Sequence, residues 1–296
     1  MKSGFFLVNK PSGLTSSDLV QIIKKRRGLK KIGHTGTLDK FADGLLILPY
    51  GHYTCFSELL LHSNKSYTAK IKFGKSTDTG DREGNSIEEW ESSRIQDFIK
   101  QKKQILIEEI TLWLNLKEQI PPKVSALKIA GKRQSDLFRQ GIEFESKKRN
   151  VSIFHVAITQ FNESTLDVAL KVSSGTYIRK LVIDLSNKIN FPLHLENLTR
   201  NTIHSYTLEQ AKSLEEIIEN SSEFGYDLEQ IFNFPKKILS KKEVQLVLHG
   251  GYISQPIEGE YELFYTEMNE LIAWVEKKDS ETHLPYFYKK VFTKQI

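Results

Sequence analysis

The sequence predicts an α+β fold built around a mainly antiparallel sheet, followed by a small β-rich module at the C-terminal end. Three observations predict it. Residues Lys65 to Lys75 and Leu166 to Val172 alternate apolar and polar side chains with the period of a half-buried strand. Ile178, Leu181, Val182, Leu185 and Ile189 recur with helical spacing instead. Strands and helices follow one another irregularly, without the strict strand-helix rhythm of a parallel sheet.

In chain order, Phe5 to Val8 reads as a strand. A helix begins after Thr15-Ser16, with Leu19, Ile22 and Ile23 on one face and Gly28 as its stop. Leu29 to Gly44 holds three glycines and little periodicity, so it is a loop, and Leu45 to Leu48 beyond it is a buried strand. Long ordered loops in compact domains tend to carry function. In the Lys65 strand, Tyr67, Ala69, Ile71 and Phe73 share one face. Past Ser173-Ser174-Gly175 the helical stripe begins, and Tyr177 and Arg179 fall outside it. Phe234-Pro235-Lys236-Lys237 reads as a linker, dividing residues 1–237 from 238–296. The second part is expected to hold a helix at Lys241 to Leu248 and short strands ending at Tyr286 to Phe292.

Composition narrows the class. A hydrophobic share of 39% and a charged share of 27% fit a folded globular chain and exclude wholesale disorder. A lone cysteine, Cys55, forms no internal bridge, and no Cys/His cluster has structural zinc spacing. The apolar run Phe5 to Val8 is too short for a signal-peptide core, and no segment reaches membrane-spanning length, so a cytoplasmic protein with no membrane partner is expected. The net charge of +5 is uneven: residues 238–296 carry 7 Lys/Arg against 9 Asp/Glu, leaving +7 on the first 237. Basic charge concentrated upstream directs attention to nucleic acid there.

The tract Gly33-His34-Thr35-Gly36-Thr37-Leu38-Asp39 gathers a carboxylate, an imidazole, hydroxyls and two permissive glycines in one loop, a combination able to approach a ligand closely. On residue type alone, a loop aspartate serves a turn or helix cap more often than it serves as a nucleophile, and a histidine more often hydrogen-bonds at a surface. The tract lacks both the Gly-Lys-Ser/Thr of phosphate loops and the glycine spacing of dinucleotide sites. Asp78, Asp81, Glu83 and Glu89 fail as a calcium loop because Gly80 and Arg82 stand where oxygen ligands are needed, so they read as an acidic turn. Lys123 to Arg149 contains 8 Lys/Arg and 3 Asp/Glu with Leu127, Leu137, Phe138 and Phe144 interleaved, which suits a solvated amphipathic segment and an RNA-gripping surface equally.

Taken together, Lys10-Pro11-Ser12-Gly13, the Gly33 to Gly44 loop, Lys65-Ser66-Tyr67 and Thr77-Asp78-Thr79-Gly80-Asp81 resemble the TruB family of bacterial tRNA pseudouridine synthases. Gln119-Ile120-Pro121-Pro122, Ser125-Ala126-Leu127-Lys128, Arg139-Gln140-Gly141, Gly175-Thr176-Tyr177-Ile178-Arg179 and Leu198-Thr199-Arg200 follow in that family's order. The resemblance covers most of the first 200 residues.

It implies a pseudouridine-synthase catalytic domain that isomerises one T-loop uridine of tRNA without metal or cofactor. Asp39 is then the catalytic carboxylate. A carboxylate in a dry pocket needs a fixed cation, and Arg179 matches the family's arginine that pairs with it. Tyr67 corresponds to the tyrosine that stacks on the target base, and Tyr177 to one that contacts the uracil. His34 resembles the residue that fills the space left by the flipped base, and Leu198 completes the apolar wall. The basic segment at about 123–149 lies where the family inserts an RNA-gripping element, which makes Lys132, Arg133 and Arg139 candidate tRNA contacts. Residues 238–296 resemble a PUA-type module, and no obligate protein partner is implied, so a monomer is expected. Three positions depart from the family: Lys40 replaces a proline, Asp43 a small hydroxyl residue, and Val124 an aromatic.

Overall fold

The computed structural model describes residues 3–122, 128–129, 131–219, 225–278 and 286–292. Two compact units emerge, Phe6–Gly225 and a second made of Met1–Phe5 with Tyr226–Ile296.

The larger unit is organised by a sheet with strand order Gly4–Lys10, Asp43–Tyr50, Leu193–Ile203, Lys65–Phe73, Thr165–Val172 and Ile153–Phe161, with Tyr206–Thr207 pairing alongside Leu193–Ile203. Leu193–Ile203 pairs antiparallel with Lys65–Phe73, which in turn pairs antiparallel with Thr165–Val172. The junction of Leu193–Ile203 with Asp43–Tyr50 is parallel: Thr199 lies opposite Asp43 and Arg200 opposite Gly44. The expected mainly antiparallel α+β arrangement is what the chain adopts.

Sequence chemistry sets the boundaries. Thr15 caps helix Ser16–Arg26 through a reciprocal box with Asp18, Leu19 and Ile23 are fully buried against Leu46 and Leu48, and Gly28 takes a φ of 62° beyond the last turn. In Lys65–Phe73 the period-two pattern buries Tyr67, Ala69, Ile71 and Phe73, which join Leu166, Val168 and Leu170 in the main core. Helix Ile178–Ile189 closes that core with Leu181, Val182 and Leu185. Arg179 lies outside this apolar stripe yet is only 5% exposed, because a second set of partners surrounds it.

The smaller unit contains a four-stranded sheet in the order Lys236–Leu239, Tyr261–Thr266, Leu271–Lys277 and Tyr286–Val291, with helix Lys241–Leu248 capped by Ser240 and Glu243. The linker expected at Phe234 to Lys237 is corrected here. Lys236 and Lys237 pair in parallel with Leu263 and Phe264, and Phe234 stacks on Phe232 at 5.0 Å. The Pro235 carbonyl accepts the Leu263 N–H at 2.9 Å, so the extended backbone that proline imposes is used to start a strand. Of the basic segment, Lys123 to Leu127, including Val124, lies outside the described residues. Lys132–Arg133 form a short strand and Gln134–Arg139 a short helix.

The parallel junction imposes one strict requirement. A Cβ on Gly44 would lie 2.5 Å from the Arg200 carbonyl oxygen and 2.6 Å from its nitrogen, and the φ of 109° disfavours any other residue. Gly44→Ala is expected to cost at least about 2 kcal/mol of stability. Urea denaturation measures it, and an unchanged midpoint would contradict this strand contact.

Candidate active site

The glycine-containing loop is held chiefly by its main chain. Thr35 N–H and Gly33 N–H donate to the carbonyls of Ile47 and Pro49 at 3.1 and 3.0 Å, and Gly13 N–H donates to the Lys40 carbonyl at 2.8 Å. Ser16, from the first helix, both accepts the Leu38 N–H at 2.9 Å and donates to the Leu38 carbonyl at 3.1 Å. From the neighbouring strand comes Arg200, 1% exposed, whose guanidinium donates to the carbonyls of Leu45, Gly36 and Thr37 at 2.7, 3.3 and 3.4 Å. Leu38, Phe41 and Ala42 are buried on either side of Asp39, so the loop presents that carboxylate in a fixed direction.

Asp39 meets Arg179 in a two-pronged ion pair: Nε donates to Oδ2 at 2.9 Å and Nη2 to Oδ1 at 3.0 Å. Its planar fork matches a carboxylate, so both groups are oriented as well as attracted. Nη1 donates to the Thr79 carbonyl at 3.1 Å and lies 3.6 Å from Asp81 Oδ2. Burial opposes the guanidinium charge, but Asp39 first and Asp81 second overcome it and push its pKa above the ordinary arginine value. The Asp39 side chain is 36% exposed, whereas Asp81 is buried and fixed by Thr79 Oγ1 at 2.8 Å.

Asp39 and Arg179 line a cavity of about 550 Å³, within the range of ordinary small-ligand sites. Tyr67, Tyr177 and Leu198 line it too, so five of the sequence-derived residues converge on one space. His34 does not line it, and its Nδ1 accepts the Gly36 N–H at 3.4 Å. The side chains of Lys132, Arg133 and Arg139 lie outside what the structure describes. Lys65, Arg149 and Arg200 add basic groups to the lining, while Asp39 is its one carboxylate among the described residues.

Several of these residues carried no sequence signal as site residues beyond their place in a family motif. Lys65, at the first position of its strand, is 6% exposed, and its ammonium donates to the carbonyls of Leu61 and Ser63 at 2.9 and 2.8 Å. Asp81, read as part of an acidic turn, is the second anion on Arg179. Its only hint was its place in the Thr77 to Asp81 motif. The departures from the family pattern sit at the loop's margin: exposed Lys40 pairs with Glu83 at 3.5 Å, and Asp43 accepts from Asn197 at 3.3 Å.

Comparison with known proteins identifies this arrangement. Chains from a Cbf5–Nop10–Gar1 complex and from an H/ACA RNP bound to a substrate RNA containing 2'-deoxyuridine share the fold. Their TM-scores are 0.65 and 0.64 at 20% and 19% identity, each covering 98% of this chain and 85% of its own. Residues 24–178 match the TruB family pseudouridylate synthase N-terminal domain. A tRNA pseudouridine synthase B of Leptospira interrogans (serogroup Icterohaemorrhagiae serovar Lai) is 40% identical over 298 residues, 99% of this chain and 95% of its own. That of Clostridium kluyveri is 32% identical over 284 residues, 93% of this chain and 96% of its own. The chain belongs to the TruB family of pseudouridylate synthases, isomerases that convert uridine to pseudouridine.

Lys65 gives the site unit a pH signature. Burial, with Arg200 nearby, lowers its pKa from 10.5 to about 7. Between those values the unfolded lysine remains protonated while the buried one releases its proton, so the unfolded chain binds more protons and stability rises with pH. Relative to Lys65→Met, the wild type is expected to gain on the order of 3 kcal/mol between pH 7 and 10. Parallel urea titrations check this, and a flat difference would refute it.

Proposed function

We propose that the chain converts a T-loop uridine of tRNA to pseudouridine, with Asp39 as the catalytic carboxylate. The observation that carries this reading is the two-pronged Asp39–Arg179 pair on the wall of a cavity lined by Tyr67, Tyr177 and Leu198. The relatives bearing the name tRNA pseudouridine synthase B support the choice of tRNA.

The reaction is an internal rearrangement. The bond from C1′ of the ribose to N1 of uracil breaks, the base turns, and a bond from C1′ to C5 forms. C5 loses its proton and N1 ends protonated, so atoms and electrons balance with no co-reactant. Asp39 promotes this by attacking the sugar or the ring, or by assisting loss of the base, dividing one difficult step into easier ones. Arg179 fixes the aim of the carboxylate, and Asp81, behind it, keeps the guanidinium from swinging away. A base inside a folded T-loop cannot reach this carboxylate, so it is flipped into the cavity at an unstacking cost of a few kcal/mol. Stacking on Tyr67 and contact with Tyr177 and Leu198 offset that cost, with His34 filling the space the base leaves.

Arg149, exposed at the cavity, suits a phosphate beside the flipped nucleotide. Lys132, Arg133 and Arg139 grip the T-arm as part of the 123–149 insertion. Residues 238–296 act as a PUA-like module whose negative balance leaves most of the electrostatic attraction to the catalytic part, residues 1–237. The enzyme works as a monomer in the cytoplasm.

With an unmodified tRNA transcript, Asp39→Asn is expected to lower the single-turnover rate by at least about 100-fold while tRNA still binds. Pseudouridine formed at the wild-type rate would end the proposal, and free uracil among the products would redirect it to a glycosidase. Neutralising Lys132, Arg133 and Arg139 together is expected to reduce the salt slope of tRNA binding by about 2. Binding measured across a salt series decides that, an unaltered slope counting against a role for these three side chains.

A further inference from the structure

We infer that Gln119 is a positioning residue: it fastens the base of the inserted segment to the main chain of Tyr177 and so sets the start of the helix that carries Arg179. This rests on the isomerase reading above. The Gln119 side chain is 4% exposed. Its Oε1 accepts the Tyr177 N–H at 2.8 Å, and its Nε2 donates to the Tyr177 carbonyl at 3.1 Å. One side-chain amide thus satisfies both polar groups of a single residue, as a neighbouring strand does.

The location gives the contact its meaning. Tyr177 is the N-cap of helix Ile178–Ile189 and supplies no side-chain cap of its own. Arg179 follows two residues later, so the direction of the first helical turn governs where its fork meets Asp39. On its own strand, Gln119 lies opposite Arg149, and Glu118 lies opposite Asn150. The Val151 N–H donates to the Lys117 carbonyl at 2.9 Å, and Lys148 pairs with Glu118 at 3.3 Å, closing the two ends of the segment on each other. Arg149, Asn150 and Tyr177 all line the cavity. Gln119 therefore joins the wall that receives RNA to the helix that aims the guanidinium, and it does so without touching the reacting atoms.

Gln119→Met keeps the length and most of the volume of the side chain but removes both hydrogen bonds. Gln119→Ala removes the volume as well. Single-turnover pseudouridine formation and equilibrium tRNA binding are measured on both, with thermal melts by circular dichroism. The expected result is a fall of about 10- to 100-fold in the single-turnover rate for each, with the tRNA Kd within about twofold of wild type. A wild-type rate in Gln119→Met overturns the inference, as does a loss confined to Kd. Should Gln119→Met fail to fold, Gln119→Glu is read by the same two criteria, since it keeps the acceptor for the Tyr177 N–H and loses only the donor. A wild-type protein that forms no pseudouridine sinks the isomerase reading itself, whereas an active wild type with an undisturbed Gln119→Met sinks only the positioning role.

Discussion

The contact on which the rest depends is a carboxylate and a guanidinium, 140 positions apart in the chain, meeting through two parallel hydrogen bonds. Such a fork tolerates little error: a group held to within roughly 0.5 Å needs a backbone fixed on both sides. The sheet supplies both. One edge of the Leu193–Ile203 strand carries Arg200 into the loop of Asp39, while helix Ile178–Ile189 packs on the main core and delivers Arg179. Neither element is self-sufficient, since a buried guanidinium deprived of its partner is strongly unfavourable. Loop and helix are thereby locked to one another.

Charge around this contact is distributed asymmetrically. Arg179 faces two acids, Asp39 toward the cavity and Asp81 behind, whereas Lys65 and Arg200 are satisfied by carbonyls. Both hold main chain in place, and the Arg200 guanidinium at the same time leaves a positive field in the cavity. A polyanion approaching such a space is attracted before any base is read, while the single acid stays reserved for chemistry.

Much of the framework was legible in the sequence. Period-two alternation located the Lys65–Phe73 and Thr165–Val172 strands, and Thr15-Ser16 ahead of an apolar helical face marked the first helix start. The loop of Asp39 stood out as long and glycine-rich, but its aspartate was distinguished from a turn residue only through the family resemblance, because an ion pair formed across the fold leaves no local periodicity. The same reason hid Asp81 and Gln119, whose partners lie far along the chain. Lys65 and Arg200 were hidden differently: each stood only as a member of a family motif, Lys65-Ser66-Tyr67 and Leu198-Thr199-Arg200, and nothing in the sequence shows that carbonyls await them. At Phe234 to Lys237 the proline and paired lysines imitated a linker, and only the partner strand reveals the pairing.

Arg200 grips carbonyl oxygens, and Ser16, Ile47 and Pro49 likewise engage peptide groups of the same loop. Peptide groups are common to every amino acid. Side chains at the rim are accordingly at liberty to change, as Lys40 and Asp43 illustrate, one leaning on Glu83 and the other on Asn197. Replacing the loop's outer lettering leaves untouched the main-chain bonds that shape the curve pointing its acid inward.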